Sequence, residues 1–175
     1  MTAIRMLSTT AILVGLLSGC TVAWFGPDAT GNPAPEISAS AWINAPSEPL
    51  TSLRGKVALI EFWTFGCVYC RSVEPHLEDW FRKYGTRGLM VIGVHTPETD
   101  FERNLANVEE YVRSHGISYP IAVVGDLVTW RRFNNRAWPT MYLVDKRGIV
   151  RLMQVGKGRY AKIEARIRAL LDEDA

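Results

Sequence analysis

The chain has 175 residues, 47% hydrophobic and 22% charged, with a formal net charge of +2. That balance fits one globular domain with extensions at its ends and excludes a disordered chain. So small a net charge gives no footing for nucleic-acid binding. The one basic pair, Arg131-Arg132, reads as the solvated side of a helix.

In chain order, Arg5 precedes a short apolar core from Ala11 to Leu17, and small residues then lead to a cysteine at Leu17-Ser18-Gly19-Cys20. The apolar run is too short to span a membrane and reads as an export signal. The tetrad resembles the bacterial lipobox, which implies removal of residues 1–19 and acylation of Cys20. Acyl chains, at roughly 0.8 kcal/mol per buried CH₂, would hold the protein on a membrane surface. The alternative is a plain signal, or an uncleaved anchor, with Cys20 incidental. Residues 20–35 contain Gly26-Pro27, Asn32-Pro33 and Ala34-Pro35 and read as a linker, leaving a folded domain over 36–175. Of the three cysteines, Cys67 and Cys70 then remain. One pair three residues apart cannot staple a fold, so it is there for chemistry.

Residues 37–53 read as irregular, with Trp42 and Ile43 as anchors and turns at Pro46 and Pro49. Val57 to Trp63 is a strand that runs directly into Cys67-Val68-Tyr69-Cys70. The helix after it buries Leu77, Trp80, Phe81 and Tyr84 on one face, is kinked by Pro75, and ends at Gly85 and Gly88. Leu89 to His95 is a continuous apolar run, the pattern of a strand buried on both faces. Thr99 and Glu102 form a capping-box pattern opening a second helix, with Phe101, Leu105, Val108 and Val112 inward and Gly116 as its stop. A short strand over 119–124 and a short helix over 127–134 follow. Thr140 to Val144 and Ile149 to Val155 read as a hairpin about Asp145-Lys146-Arg147-Gly148, and a last helix buries Ile163, Ile167, Leu170 and Leu171. Strands alternating with helices, then a hairpin and a helix, predict an α/β fold: a three-layer α/β/α sandwich about a mixed sheet.

Cys67 falls where a strand ends and a helix begins. A helix N-terminus offers unpaired N–H groups and a partial positive charge, both of which favour a thiolate. Cysteines at i and i+3 share a helix face and can close a disulfide. A zinc site would need two further ligands, and there is no second cysteine pair.

The C-x-x-C behind Phe62-Trp63-Thr64, Pro75 in the following helix, and Trp138-Pro139 before a strand together resemble thioredoxin-fold, membrane-anchored thiol-disulfide oxidoreductases of the TlpA/ResA type. The wording Phe62-Trp63-Thr64, Gly93-Val94-His95-Thr96-Pro97-Glu98 and Trp138-Pro139 resembles the C-terminal thioredoxin-like domain of DipZ proteins. The resemblance covers about Pro35 to Leu171. It implies Cys67 as the attacking thiolate, Cys70 as the residue that resolves the mixed disulfide, and Glu61 as a buried acid exchanging a proton with Cys70. The alternative for Glu61 is a carboxylate at a strand end, facing water or pairing with a base. The resemblance also implies a cis bond before Pro139, in a loop facing the cysteines and pairing with an extended substrate segment. Trp138, Phe65 and Tyr69 would form an apolar substrate rim, with Trp63 either in that rim or in the core.

The reading is thus a thiol-disulfide oxidoreductase that reduces disulfides of exported proteins, apocytochromes c among the possible clients. It would draw electrons from a DsbD/CcdA-type membrane donor and use no cofactor beyond its own redox-active disulfide. Two other readings stay open. Thr64-x-x-Cys67 resembles the peroxiredoxin T-x-x-C of a thiol peroxidase, though Ile60 stands where that motif has proline. A non-catalytic metal- or haem-handling dithiol module would use Met141 and Met153 as soft ligands, although both fit core strand patterns. His95 reads as a structural histidine near the active edge, and His76 as a helix-surface residue.

Overall fold

The computed structural model describes residues 28–45 and 53–174. The expected export segment, Cys20, the linker up to residue 27, and Pro46 and Pro49 lie outside the described residues. The elements are β1 (Ala41–Ile43), β2 (Val57–Trp63), α1 (Val68–Arg71), α2 (Glu74–Tyr84), β3 (Leu89–His95), α3 (Asp100–Arg103), α4 (Leu105–Ser114), β4 (Ile121–Val123), α5 (Val128–Arg132), β5 (Thr140–Val144), β6 (Val150–Val155) and α6 (Tyr160–Asp172). No described helix is long and apolar enough to cross a membrane.

The six strands form one mixed sheet in the order β1-β4-β3-β2-β5-β6. Strands β2, β3 and β4 run parallel, whereas β1, β5 and β6 are antiparallel to their neighbours. Apolar runs such as β2 need cover on both faces, and every residue of β2 is buried. On one face Leu59 and Trp63 pack with Leu77 and Trp80 of α2, Val108 of α4 and Ile163 of α6. On the other, Ile60 and Phe62 meet Ile37, Phe133 and the half-buried Trp130. The expected α/β sandwich is therefore present, with one thick helical layer and one thin layer of α5 and N-terminal chain.

Four local expectations change. The stretch read as irregular contains β1, which pairs Trp42 with Ala122 and satisfies the outer edge of β4. The end of the expected linker is docked on the hairpin: the Gly31 N–H donates to Val150 O at 2.8 Å, and Val150 N–H to Asn32 O at 2.9 Å. Packing thus begins before residue 36. The helix after Thr99 breaks at Asn104, which is extended (φ −71°, ψ 115°) and accepts the Ala106 N–H on its own side chain. That cap competes with helix continuation. It turns Phe101 and Leu105 outward, at 66% and 38% exposed, while Val108 and Val112 are buried as expected. Pro75 likewise starts α2 afresh in its first turn instead of kinking one long helix.

Parallel β2, β3 and β4 end at one edge of the sheet, and antiparallel β5 begins there. The Thr96 N–H donates to Trp63 O at 2.9 Å and the Val124 N–H to His95 O at 3.0 Å, which keeps these strand ends together. Loops leaving the carboxyl ends of parallel strands commonly form sites in α/β folds.

Candidate active site

Cys67 is the N-cap of α1, with extended backbone (φ −77°, ψ 109°). Its Sγ accepts the N–H of Cys70 at 3.2 Å, and its carbonyl accepts the Arg71 N–H at 3.2 Å. The sulfur therefore takes the place that a serine or aspartate oxygen takes in an ordinary cap. Both cysteines are free thiols; Cys67 is half-buried and Cys70 buried. One thiol is reachable from solvent and the second lies directly beneath it.

Under the pair lies Glu61. It faces the helical side of the sheet, with Gly93 and Met141 as its cross-strand neighbours. The side chain is fully buried, and neither carboxylate oxygen has a hydrogen-bond partner among the described residues. Burial pushes this carboxyl well above the usual range, and the Glu74 and Cys67 charges add to the shift. Burial also pushes the Cys70 thiol up. Its hydrogen bond with Cys67 and the Glu61 charge act the same way, and a backbone bond to Thr64 offsets them only in part. An acid and a thiol that each resist ionisation, side by side, can hold and exchange one proton.

The turn before Cys67 is tied down from outside the motif. Glu102, 3% exposed, accepts from Thr64 Oγ1 at 2.6 Å and from the Gly66 N–H at 2.9 Å. A Cβ on Gly66 would lie 2.5 Å from Glu102 Oε1, so a side chain there would push the carboxylate off its place. Burial pushes the Glu102 carboxyl up, but bonds from Thr64 and the N–H groups of Glu98, Gly66 and Thr99 outweigh it and hold it below the usual range. The spacing of Thr99 and Glu102 announced the capping box, which is present. It gave no sign of the bonds to Thr64 and Gly66.

The remaining site candidates fall into distinct environments. The Trp138–Pro139 peptide is cis, as the resemblance implies, and Pro139 immediately precedes β5, whose Thr140 pairs with Phe62. Trp138 is half-buried against Trp130, their rings 4.3 Å apart. Tyr69 is 57% exposed, with Lys157 Nζ 4.9 Å from its ring. Phe65 belongs less to an open rim than to an aromatic stack, lying over His95 at 5.7 Å and Tyr111 at 5.3 Å. Trp63 is fully buried and so belongs to the core. His95 is buried, with both ring nitrogens unpartnered among the described residues, and burial lowers it to about 4 against an opposing push from the Glu102 charge. It is neutral at physiological pH. His76 is stacked on Tyr160 at 3.7 Å and is not a free surface residue.

A family model described as the AhpC/TSA family matches residues 30–153. Protein DipZ of Mycobacterium tuberculosis is 43% identical over 144 residues, which cover 80% of this chain and 21% of that protein. The chain thus spans about a fifth of the length of DipZ. Thiol-disulfide oxidoreductase YkuV of Bacillus subtilis is 30% identical over 142 residues, covering 81% of this chain and 95% of YkuV. Among solved structures, a thioredoxin-like protein in its oxidised form superposes with a TM-score of 0.73 at 30% identity, over 82% of this chain and 97% of that one. A cap-position thiol, a buried partner thiol and a family match over residues 30–153 point one way: the chain belongs to the AhpC/TSA family, and its fold is that of thioredoxin.

Proposed function

We infer that the domain is a thiol-disulfide oxidoreductase, and we propose that it runs in the reducing direction on exported proteins. The observation that carries the reading is the stacked geometry of the pair: an accessible Cys67 sulfur on the Cys70 N–H, and a buried Cys70 beside a buried Glu61. The Cys67 thiolate attacks a client disulfide. A mixed disulfide forms and one client sulfur leaves as a thiolate. Glu61 hands its own proton on toward the leaving client thiolate and takes the Cys70 proton in exchange, and Cys70 attacks the Cys67 sulfur. The second client thiolate leaves, and the domain keeps a Cys67–Cys70 disulfide. Two electrons have moved to the client, and a membrane donor of the DsbD/CcdA type returns two to the domain.

In this reading Trp138, Pro139, Phe65 and Tyr69 border the client site. The Leu17-to-Cys20 tetrad supports a lipid-anchored, extracytoplasmic location, and disulfide-bearing exported proteins, apocytochromes c among them, are the clients. The two alternatives draw less support. The single hydroxyl proton of Thr64 is committed to Glu102, which removes it from the peroxide-positioning role. Met141 packs on the helical face of the sheet and Met153 on the opposite one, so they do not converge as ligands.

Trapping tests the assignment. Cys70→Ser should accumulate client, or disulfide-bonded insulin, as a mixed disulfide on Cys67. Cys67→Ser should trap nothing and reduce no insulin. Trapping by Cys67→Ser instead would reverse the two roles.

A further inference from the structure

Glu102 plays no part in the exchange steps above, yet both of its oxygens are bound. Oε2 accepts the N–H groups of Glu98 and Thr99 at 2.9 and 2.8 Å and the Thr99 hydroxyl at 3.1 Å. That set is what a capping box needs. Oε1 is aimed elsewhere, at Thr64 Oγ1 and the Gly66 N–H. These belong to the turn that delivers Cys67, whose own N–H donates to Thr64 O at 3.2 Å. A Cβ built at Gly66 would lie 2.5 Å from Glu102 Oε1, which shows how closely the carboxylate approaches that turn.

We infer that Glu102 is a positioning residue of the dithiol, clamping the 64–66 turn to the loop after β3 so that the Cys67 sulfur stays on the Cys70 N–H. The inference rests on reading Cys67 and Cys70 as an exchange pair. It is distinguishable from two simpler roles. A plain helix cap would matter to stability and not to the thiol. A plain buried negative charge would oppose the thiolate, so its removal would make Cys67 more acidic. A clamp does the reverse: without it the sulfur drifts from its N–H donor and from the helix terminus, and Cys67 becomes less acidic.

Glu102→Gln separates these roles. Each oxygen accepts at least one backbone N–H, so whichever way the amide turns, its NH₂ faces a donor. The readout is the pH profile of iodoacetamide alkylation of Cys67 in the full chain carrying Cys70→Ser. Glu102→Gln should move the profile up by about one pH unit and slow alkylation at neutral pH about tenfold. Asp145→Asn serves as the control, since Asp145 is an equally buried carboxylate held by the N–H groups of Arg147 and Ile149 and by Arg151 in the hairpin. It should lower Tm without moving the profile. An unmoved profile in Glu102→Gln leaves only the cap, and a downward shift leaves only the charge; either overturns the clamp. Should Glu102→Gln not fold, Thr64→Val removes a single link and should shift the profile upward by less, and no shift there overturns the clamp equally. Insulin reduction by the unmodified chain, measured alongside, reports separately on the exchange reading.

Discussion

A carboxyl group buried without a partner carries a free-energy cost, and Glu61 has two oxygens in the middle of the sheet that are unpartnered among the described residues. An unsatisfied buried polar group costs about 1–3 kcal/mol, and Tm moves about 2–4 °C per kcal/mol in a chain of this size. Glu61→Leu should therefore raise Tm by several degrees at pH 8 while slowing insulin reduction. The pH dependence has a definite sign. The folded-state pKa is raised, so native Glu61 holds its proton while the unfolded chain, with a value near about 4.3, loses it. The penalty thus grows as pH rises from there toward the folded value, and the gain from Glu61→Leu should be larger at pH 8 than at pH 4. Melts that show an equal gain at both pH values, or a loss at pH 8, would contradict this account of Glu61. A lone acid inside an apolar strand is legible in sequence because it breaks the pattern of its neighbours. Glu102 was legible only as a cap, because its partners Thr64 and Gly66 lie on another loop and no spacing rule reaches them.

Among the elements, β2 and β3 were readable because a strand buried on both faces is apolar along most of its length, Glu61 and His95 being departures. Gly93 in β3 serves the site through its missing side chain. A Cβ there would lie 2.6 Å from Ile121 Cδ1 and 2.8 Å from Trp63 Nε1. The missing side chain makes room for the Trp63 indole, which packs in the same cluster as Cys70. Gly93→Ala should cost about 1–3 kcal/mol by overpacking, read as a lowered Tm and an altered tryptophan emission. An unchanged Tm would show that the indole moves freely and that the core there is not tight. Strand β1 and the α3–α4 break were not legible, for two different reasons. β1 is three residues long and owes its existence to the edge of β4, a partner far away in sequence. The break at Asn104 is decided by one side chain capping its own backbone, which the apolar spacing of Phe101 and Leu105 does not register.

At the scale of the molecule, the topology brings together what sequence order scatters. The Cys67 turn leaves β2, the Thr99–Glu102 cap follows β3, and the cis Trp138–Pro139 bond precedes β5, all at one edge of the sheet. Around that edge Val68, Tyr69 and Phe101 are exposed at 68%, 57% and 66%, an apolar surface set beside a reachable thiol. Alternation of strands and helices made the layer architecture legible. The strand order was not legible, since periodicity says nothing about which strands are neighbours. The central claim is that Cys67 and Cys70 form a reducing dithiol. Its most direct test is the reduction potential of the chain in glutathione or dithiothreitol buffers, followed by tryptophan fluorescence, because Trp63 and Cys70 share one core. A two-electron transition near thioredoxin's value of about −270 mV is the expected result. A value near about −120 mV would make the domain a disulfide donor and contradict the reducing direction, and the absence of any two-electron transition would contradict the exchange reading itself.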